Sequence, residues 1–70
     1  MDLEYERINI NDAVGKIVAE SIVPYPPGVP MLIMGEIIEE RHVKLLNEYM
    51  KNKVDLIGVK DKKVKVIKNK

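Results

Sequence analysis

The chain has 70 residues, 46% of them hydrophobic and 33% charged, with no cysteine, a single histidine and a formal net charge of +1. A domain of this size buries only about 60% of the surface its unfolded chain exposes, so its core is thin, and no disulfide, thiolate metal site or one-histidine zinc centre can supplement it. The near-neutral charge gives no long-range field for nucleic acid or an anionic membrane, and no run approaches the roughly 20 apolar residues that span a bilayer.

Taken in order, the start Met1-Asp2-Leu3-Glu4-Tyr5-Glu6 is acidic and polar, without the cationic and apolar regions of a secretory signal, so a cytoplasmic location is expected. Arg7-Ile8-Asn9-Ile10 alternates polar and apolar residues and predicts an edge strand. Asn11-Asp12-Ala13-Val14 predicts one helical turn, capped by an Asn11 or Asp12 side chain and closed by Gly15. From Lys16 to Val23 the apolar Ile17, Val18, Ala19, Ile22 and Val23 predict a mostly buried strand, with a bulge or bend at Glu20-Ser21. Pro24-Tyr25-Pro26-Pro27-Gly28-Val29-Pro30 predicts a stiff, polyproline-like connector, since each proline fixes φ and pushes its predecessor toward extended backbone, with Gly28 as the point where the chain can turn.

Met31-Leu32-Ile33-Met34 then predicts a buried strand ending at Gly35-Glu36. The period changes after it. Ile38, Val43, Leu45, Leu46, Tyr49 and Met50 recur at helical spacing opposite Glu39, Glu40, Arg41, Lys44, Asn47, Glu48 and Lys51, predicting an amphipathic helix over roughly 39–51 with acidic residues leading and lysines trailing. Val54, Leu56, Ile57 and Val59 before Lys60-Asp61-Lys62, and Val64, Val66 and Ile67 after it, predict a C-terminal β-hairpin with Lys63, Lys65 and Lys68 on its wet face. Together these elements predict a single α+β domain over 1–70: a small mixed or antiparallel sheet covered on one face by the helix, with a short helical turn near 11–15.

Catalytic chemistry needs a constellation, and none is visible. There is no cysteine nucleophile, and Ser21 lies in a predicted strand without a nucleophile elbow around it. His42 reads as an ordinary helical residue, Glu39-Glu40 as dipole-stabilising acids and the tail lysines as a solvated strand face; none of the lysines has the desolvated surroundings of a Schiff-base amine. Glu36, following Gly35 at the end of an apolar run, is the better candidate for a functional carboxylate.

The proline segment Pro24-Tyr25-Pro26-Pro27-Gly28-Val29-Pro30 resembles the signature in the C-terminal domain of the pyridoxal-phosphate-dependent ornithine/lysine/arginine decarboxylases. Upstream, Ala13-Val14-Gly15-Lys16-Ile17 followed by Ala19-Glu20 is similar to that domain's A-[VIE]-G-[RK]-[IV]-x-A-E pattern; downstream, Gly35-Glu36 and the ensuing helix match its G-E-then-helix arrangement. The likeness runs over about residues 8 to 67. The chain departs from the family at Met34, where a proline usually precedes Gly-Glu, and at Glu39, where a Thr or Ser usually caps the helix.

The resemblance implies an accessory role in a lyase of polyamine biosynthesis: a domain that packs on or caps a separate pyridoxal-phosphate-binding large domain or subunit, or supports an oligomer. The cofactor belongs to the parent family and has no binding residues in this chain, which is not expected to be an enzyme by itself. Pro24, Tyr25, Pro26, Pro27, Gly28, Pro30, Gly35 and Glu36 become the motif or interface candidates, with no nucleic-acid or membrane partner expected. The alternative is a freestanding interaction or ligand-binding module, similar to small modules attached to molybdopterin-biosynthesis and signalling proteins, for which Met1 and a tail ending Lys68-Asn69-Lys70 are compatible with a complete small reading frame. An independent hydrolase or metalloenzyme is disfavoured, because no paired catalytic groups are found.

Overall fold

The computed structural model describes residues 4–68. Its elements are β1 (Tyr5–Asn9), a single 3-10 turn (Ile10–Asp12), β2 (Val23–Tyr25), α1 (Glu40–Lys51), β3 (Asp55–Ile57), β4 (Val59–Lys60) and β5 (Lys63–Ile67). The strands form an antiparallel three-stranded sheet in the order β1-β5-β4 and an antiparallel pair β2-β3, so the fold is α+β, as the sequence predicts.

β5 is the central strand. Its period-two pattern sends Val64 and Val66 fully inside and leaves Lys63 exposed and Lys65 half-buried, while Lys68, expected on the same wet face, lies past the end of the strand. β1 pairs with it along its whole length, from Tyr5↔Ile67 to Asn9↔Lys63, and the Lys65 ammonium lies 4.9 Å from the centre of the diagonally placed Tyr5 ring. On its other side β4 pairs first, and beyond β4 the segment 17–19 takes over, through the Val18↔Val66 bridge and the bonds Ala19 N–H to Lys65 C=O (2.8 Å) and Ile67 N–H to Ile17 C=O (2.9 Å).

The C-terminal hairpin is present, and its first arm is short. Val59↔Val64 and Lys60↔Lys63 flank the two-residue loop Asp61-Lys62, whose φ values of 54° and 62° are the left-handed pair of a type I′ turn. The rest of the expected arm leaves the hairpin at Gly58 (φ +94°), and β3 pairs with β2 instead: Val23↔Ile57, Pro24↔Leu56, Tyr25↔Asp55. The reason is a close approach, for a Cβ at Gly58 would run into the Ser21 carbonyl oxygen, so the two backbones cross where only glycine fits.

Three other expectations need correction. The cap of the first helical turn is Asn9, whose Oδ1 accepts from the Asn11 N–H at 2.9 Å, so the turn starts earlier than the Asn11-Asp12 pair suggests. The expected Lys16–Val23 strand is a series of bridged residues (Ile17, Val18, Ile22) broken by a bend at Ala19-Glu20, with only its last residue entering β2. Met31–Met34 is not a buried strand: Leu32 is fully buried and bridged to Ile22, while Ile33 and Met34 are exposed by 57% and 65%. An apolar run alone does not separate a strand from a turn crossing an edge.

The helix occupies nearly its expected span. Glu39 is its N-cap, and His42 at the third helical position accepts the Glu39 N–H on Nδ1 at 2.9 Å, taking the reciprocal place that Glu or Gln usually fills in a capping box. That bond fixes the neutral ring as its Nε2–H tautomer. Val43 and Leu46 face inward, while Leu45, expected on the apolar face, is 40% exposed. The core joins every layer: Ile10, Ala13, Val18, Ile22, Leu32, Ile38, Val43, Leu46, Val64 and Val66 form one buried cluster.

Candidate functional site

The proline segment is the tip of a hairpin whose base is the Ile22↔Leu32 bridge. Pro24 is buried within β2, where its missing N–H costs little because the two-stranded pair leaves β2 an open edge. Tyr25 follows with 60% of its surface exposed. The chain then folds back rather than running on as an extended polyproline helix: the Tyr25-Pro26 and Pro26-Pro27 peptides are cis, and the Gly28 N–H returns to the Pro24 carbonyl at 2.8 Å. Gly28 (φ +89°) lies against the Tyr25 ring, 3.3 Å separating Cδ1 from the place a Cβ would occupy. Pro26, Pro27 and Pro30 are exposed. The corner thus presents one aromatic ring on a stiff frame.

Gly35 and Glu36 lie in a different turn. The Glu36 N–H donates to the Ile33 carbonyl at 2.9 Å, and Gly35 (φ +99°) occupies the third position, where a type II turn requires positive φ. The Glu36 carboxylate closes the same turn, its Oε1 accepting from the Ile33 N–H at 2.6 Å, and the Ser21 hydroxyl accepts from the Met34 N–H at 2.9 Å. Both polar groups that could have suggested chemistry therefore serve local backbone. The structure does not bring Gly35-Glu36 to the proline corner; the Ile22↔Leu32 bridge stands between them.

The turn leads into a ladder that the sequence reading did not single out. Val18 N–H donates to Glu36 C=O (2.9 Å) and Ile38 N–H to Lys16 C=O (2.8 Å), enclosing the antiparallel pair Ile17↔Ile37. This is the narrow, non-hydrogen-bonded kind of pair, in which opposed side chains stand closest on one face. Val18 and Ile38 point into the core, so Ile17 and Ile37 point out, exposed by 36% and 57%. The doublets Ile17-Val18 and Ile37-Ile38 carry the only sequence signal: one residue of each must face away from the core.

An open depression of about 280 Å³ lies between Asn11, Asn47, Met50, Lys51 and Lys62, with Asn47 Nδ2 donating to Asn11 Oδ1 at 2.9 Å. It does not fit pyridoxal phosphate: the lining residues offer lysines but no aromatic or imidazole face for the ring and no carboxylate for the pyridinium nitrogen. Among the described residues there is no group of three or more metal-ligating side chains, and no helix is long and apolar enough to cross a membrane.

Comparison with known proteins places the chain. The family model described as Orn/Lys/Arg decarboxylase, C-terminal domain, matches residues 1–58. The chain belongs to that family. The chain is 40% identical over 58 residues to an arginine decarboxylase of Halalkalibacterium halodurans, covering 83% of the chain and 12% of that protein. It is 36% identical over 64 residues to the uncharacterized protein YaaO of Bacillus subtilis, covering 87% of the chain and 13% of that protein. A solved structure of the E. coli constitutive lysine decarboxylase superposes with a TM-score of 0.81 at 30% identity, covering 93% of this chain and 11% of that one. The chain therefore spans about an eighth of the length of these relatives.

Proposed function

We propose that this chain is an accessory C-terminal domain of an ornithine/lysine/arginine decarboxylase-like enzyme, non-catalytic on its own, which packs on or caps a separate pyridoxal-phosphate-binding large domain in the cytoplasm. The observation that carries this reading is the coverage: relatives named arginine decarboxylases match this domain over some 12–13% of their own length. The lyase chemistry, for which pyridoxal phosphate is the electron sink in this family, then resides in the remainder. Among the described residues, Ser21 and Glu36 are committed to backbone turns and the lysine-lined depression does not suit the cofactor. The domain's part is to exclude water, complete an entrance or hold an oligomer, with the stiff Tyr25 corner as the feature best suited to line an entrance.

The test is co-purification with a separately expressed decarboxylase large domain. Co-elution on gel filtration and restored turnover of arginine, lysine or ornithine are expected. A mixture that neither associates nor recovers activity overturns the reading.

A further inference from the structure

From the geometry of the 15–18 and 35–38 ladder we infer that its outer face, formed by Ile17, Ile37, Ile33 and Met34, is the surface on which this domain seats against the large decarboxylase domain. The inference rests on the proposed function for its partner and adds to it the face.

Two independent liabilities meet on this one segment. The first is apolar exposure. Ile17 and Ile37 are opposed across a narrow pair, and the turn that continues the ladder adds Ile33 (57% exposed) and Met34 (65% exposed). A small domain can leave single apolar side chains in water without consequence, but a cluster held on a hydrogen-bonded frame marks an interface. The second is an open edge. The bonds on either side of the Ile17↔Ile37 pair turn the Ile37 N–H and C=O away from Ile17, and neither group has a hydrogen-bond partner among the described residues. The 17–19 segment already bridges β5 on its other side, so 35–38 is the outermost strand-like segment of the sheet. Unprotected edges are ordinarily blunted by charge, proline or a covering surface. Ile37 is none of these.

One covering surface removes both liabilities, and the relatives indicate its source. In each of them this domain is 11–13% of a longer polypeptide, so a much larger body is present in the same molecule. The remaining exposed apolar side chains are less suited to the task. Tyr5 is overlaid by the Lys65 ammonium, Val14 sits at the turn before the ladder, Leu45 stands on a helix face among charged residues, Ile57 lies on β3 in the separate β2-β3 pair, and Tyr25 and Val29 sit on the proline corner beyond the Ile22↔Leu32 bridge.

The experiment compares Ile17→Glu, Ile37→Glu and the double variant with a control on the exposed helix face, Leu45→Ser, all as the full chain. The probe is the H. halodurans arginine decarboxylase expressed without the segment that matches this chain. Circular dichroism first checks that each variant is folded, as the exposure of both isoleucines leads one to expect. Burying an isoleucine contributes enough that each charge should weaken binding by about tenfold or more in calorimetry, with the double variant showing no measurable association. Leu45→Ser should bind as the unsubstituted chain does. If the unsubstituted chain binds and the double variant binds equally well, the assignment of the face is overturned while the accessory role stands. If the unsubstituted chain does not bind the probe, both fall. If it instead forms a homodimer in analytical ultracentrifugation that Ile37→Glu dissolves, the face belongs to a second copy and the assignment to the large domain is overturned.

Discussion

At Gly58 two constraints coincide: a φ of +94°, and the Ser21 carbonyl oxygen standing where a Cβ would go. Gly15 has the first constraint (φ +88°) without the second, since nothing lies within 4 Å of its missing Cβ. Gly58→Ala should therefore cost about 2–4 kcal/mol and Gly15→Ala only about 1–2 kcal/mol, a ranking that urea unfolding of the two variants checks. Glu39 shows a different single-residue effect. The Arg41 guanidinium donates to Glu39 Oε1 at 2.7 Å, and this bond, reinforced by the guanidinium charge, holds the carboxyl below the ordinary glutamate range. Because the folded chain binds this proton less readily than the unfolded chain, the associated stability is full above the unfolded-state pKa and is lost as pH falls through the folded-state value. Arg41→Ala should return the carboxyl to the ordinary range, and a carboxyl NMR titration with an unchanged midpoint would contradict the assigned cause.

Among the elements, those governed by local periodicity were legible in the sequence and those governed by long-range pairing were not. The helix at Glu40–Lys51 and the alternation of β5 follow from spacing alone. The departure of β3 toward β2 could not be read from Val54 to Val59, because it depends on Ser21, far away in the chain, passing over Gly58. For the candidate site, the sequence marked the proline corner and the Gly35 turn but not the outward isoleucine pair, since Ile17 and Ile37 look like core residues until their register is known. The hairpin loop offers a test at this scale. Lys62 sits at φ +62°, a conformation that a Cβ disfavours, and Lys60 and Lys63 place like charges opposite each other. Lys62→Gly should raise stability by up to about 1 kcal/mol, visible as a higher thermal midpoint.

Across the whole molecule a small reserve of stability rests on a single buried cluster. A domain of this size draws only about 3–5 kcal/mol from its core, whereas a buried Leu→Ala substitution costs about 2–5 kcal/mol. Leu32 is fully buried and ties the proline hairpin to the rest of the core. Leu32→Ala should therefore leave much of the population unfolded at room temperature, which a one-dimensional proton NMR spectrum would show as lost methyl dispersion. A well-dispersed spectrum would mean that the proline corner is held by something other than its base.

The placement of β5 also dictates when this fold can exist. Its residues, 63–67, are hydrogen-bonded by β1, by β4 and by the 17–19 segment alike. β1 and the 17–19 segment, made earlier in translation, thus have no β5 partner until residues 63–67 have been synthesised, and the three-stranded sheet cannot close before then.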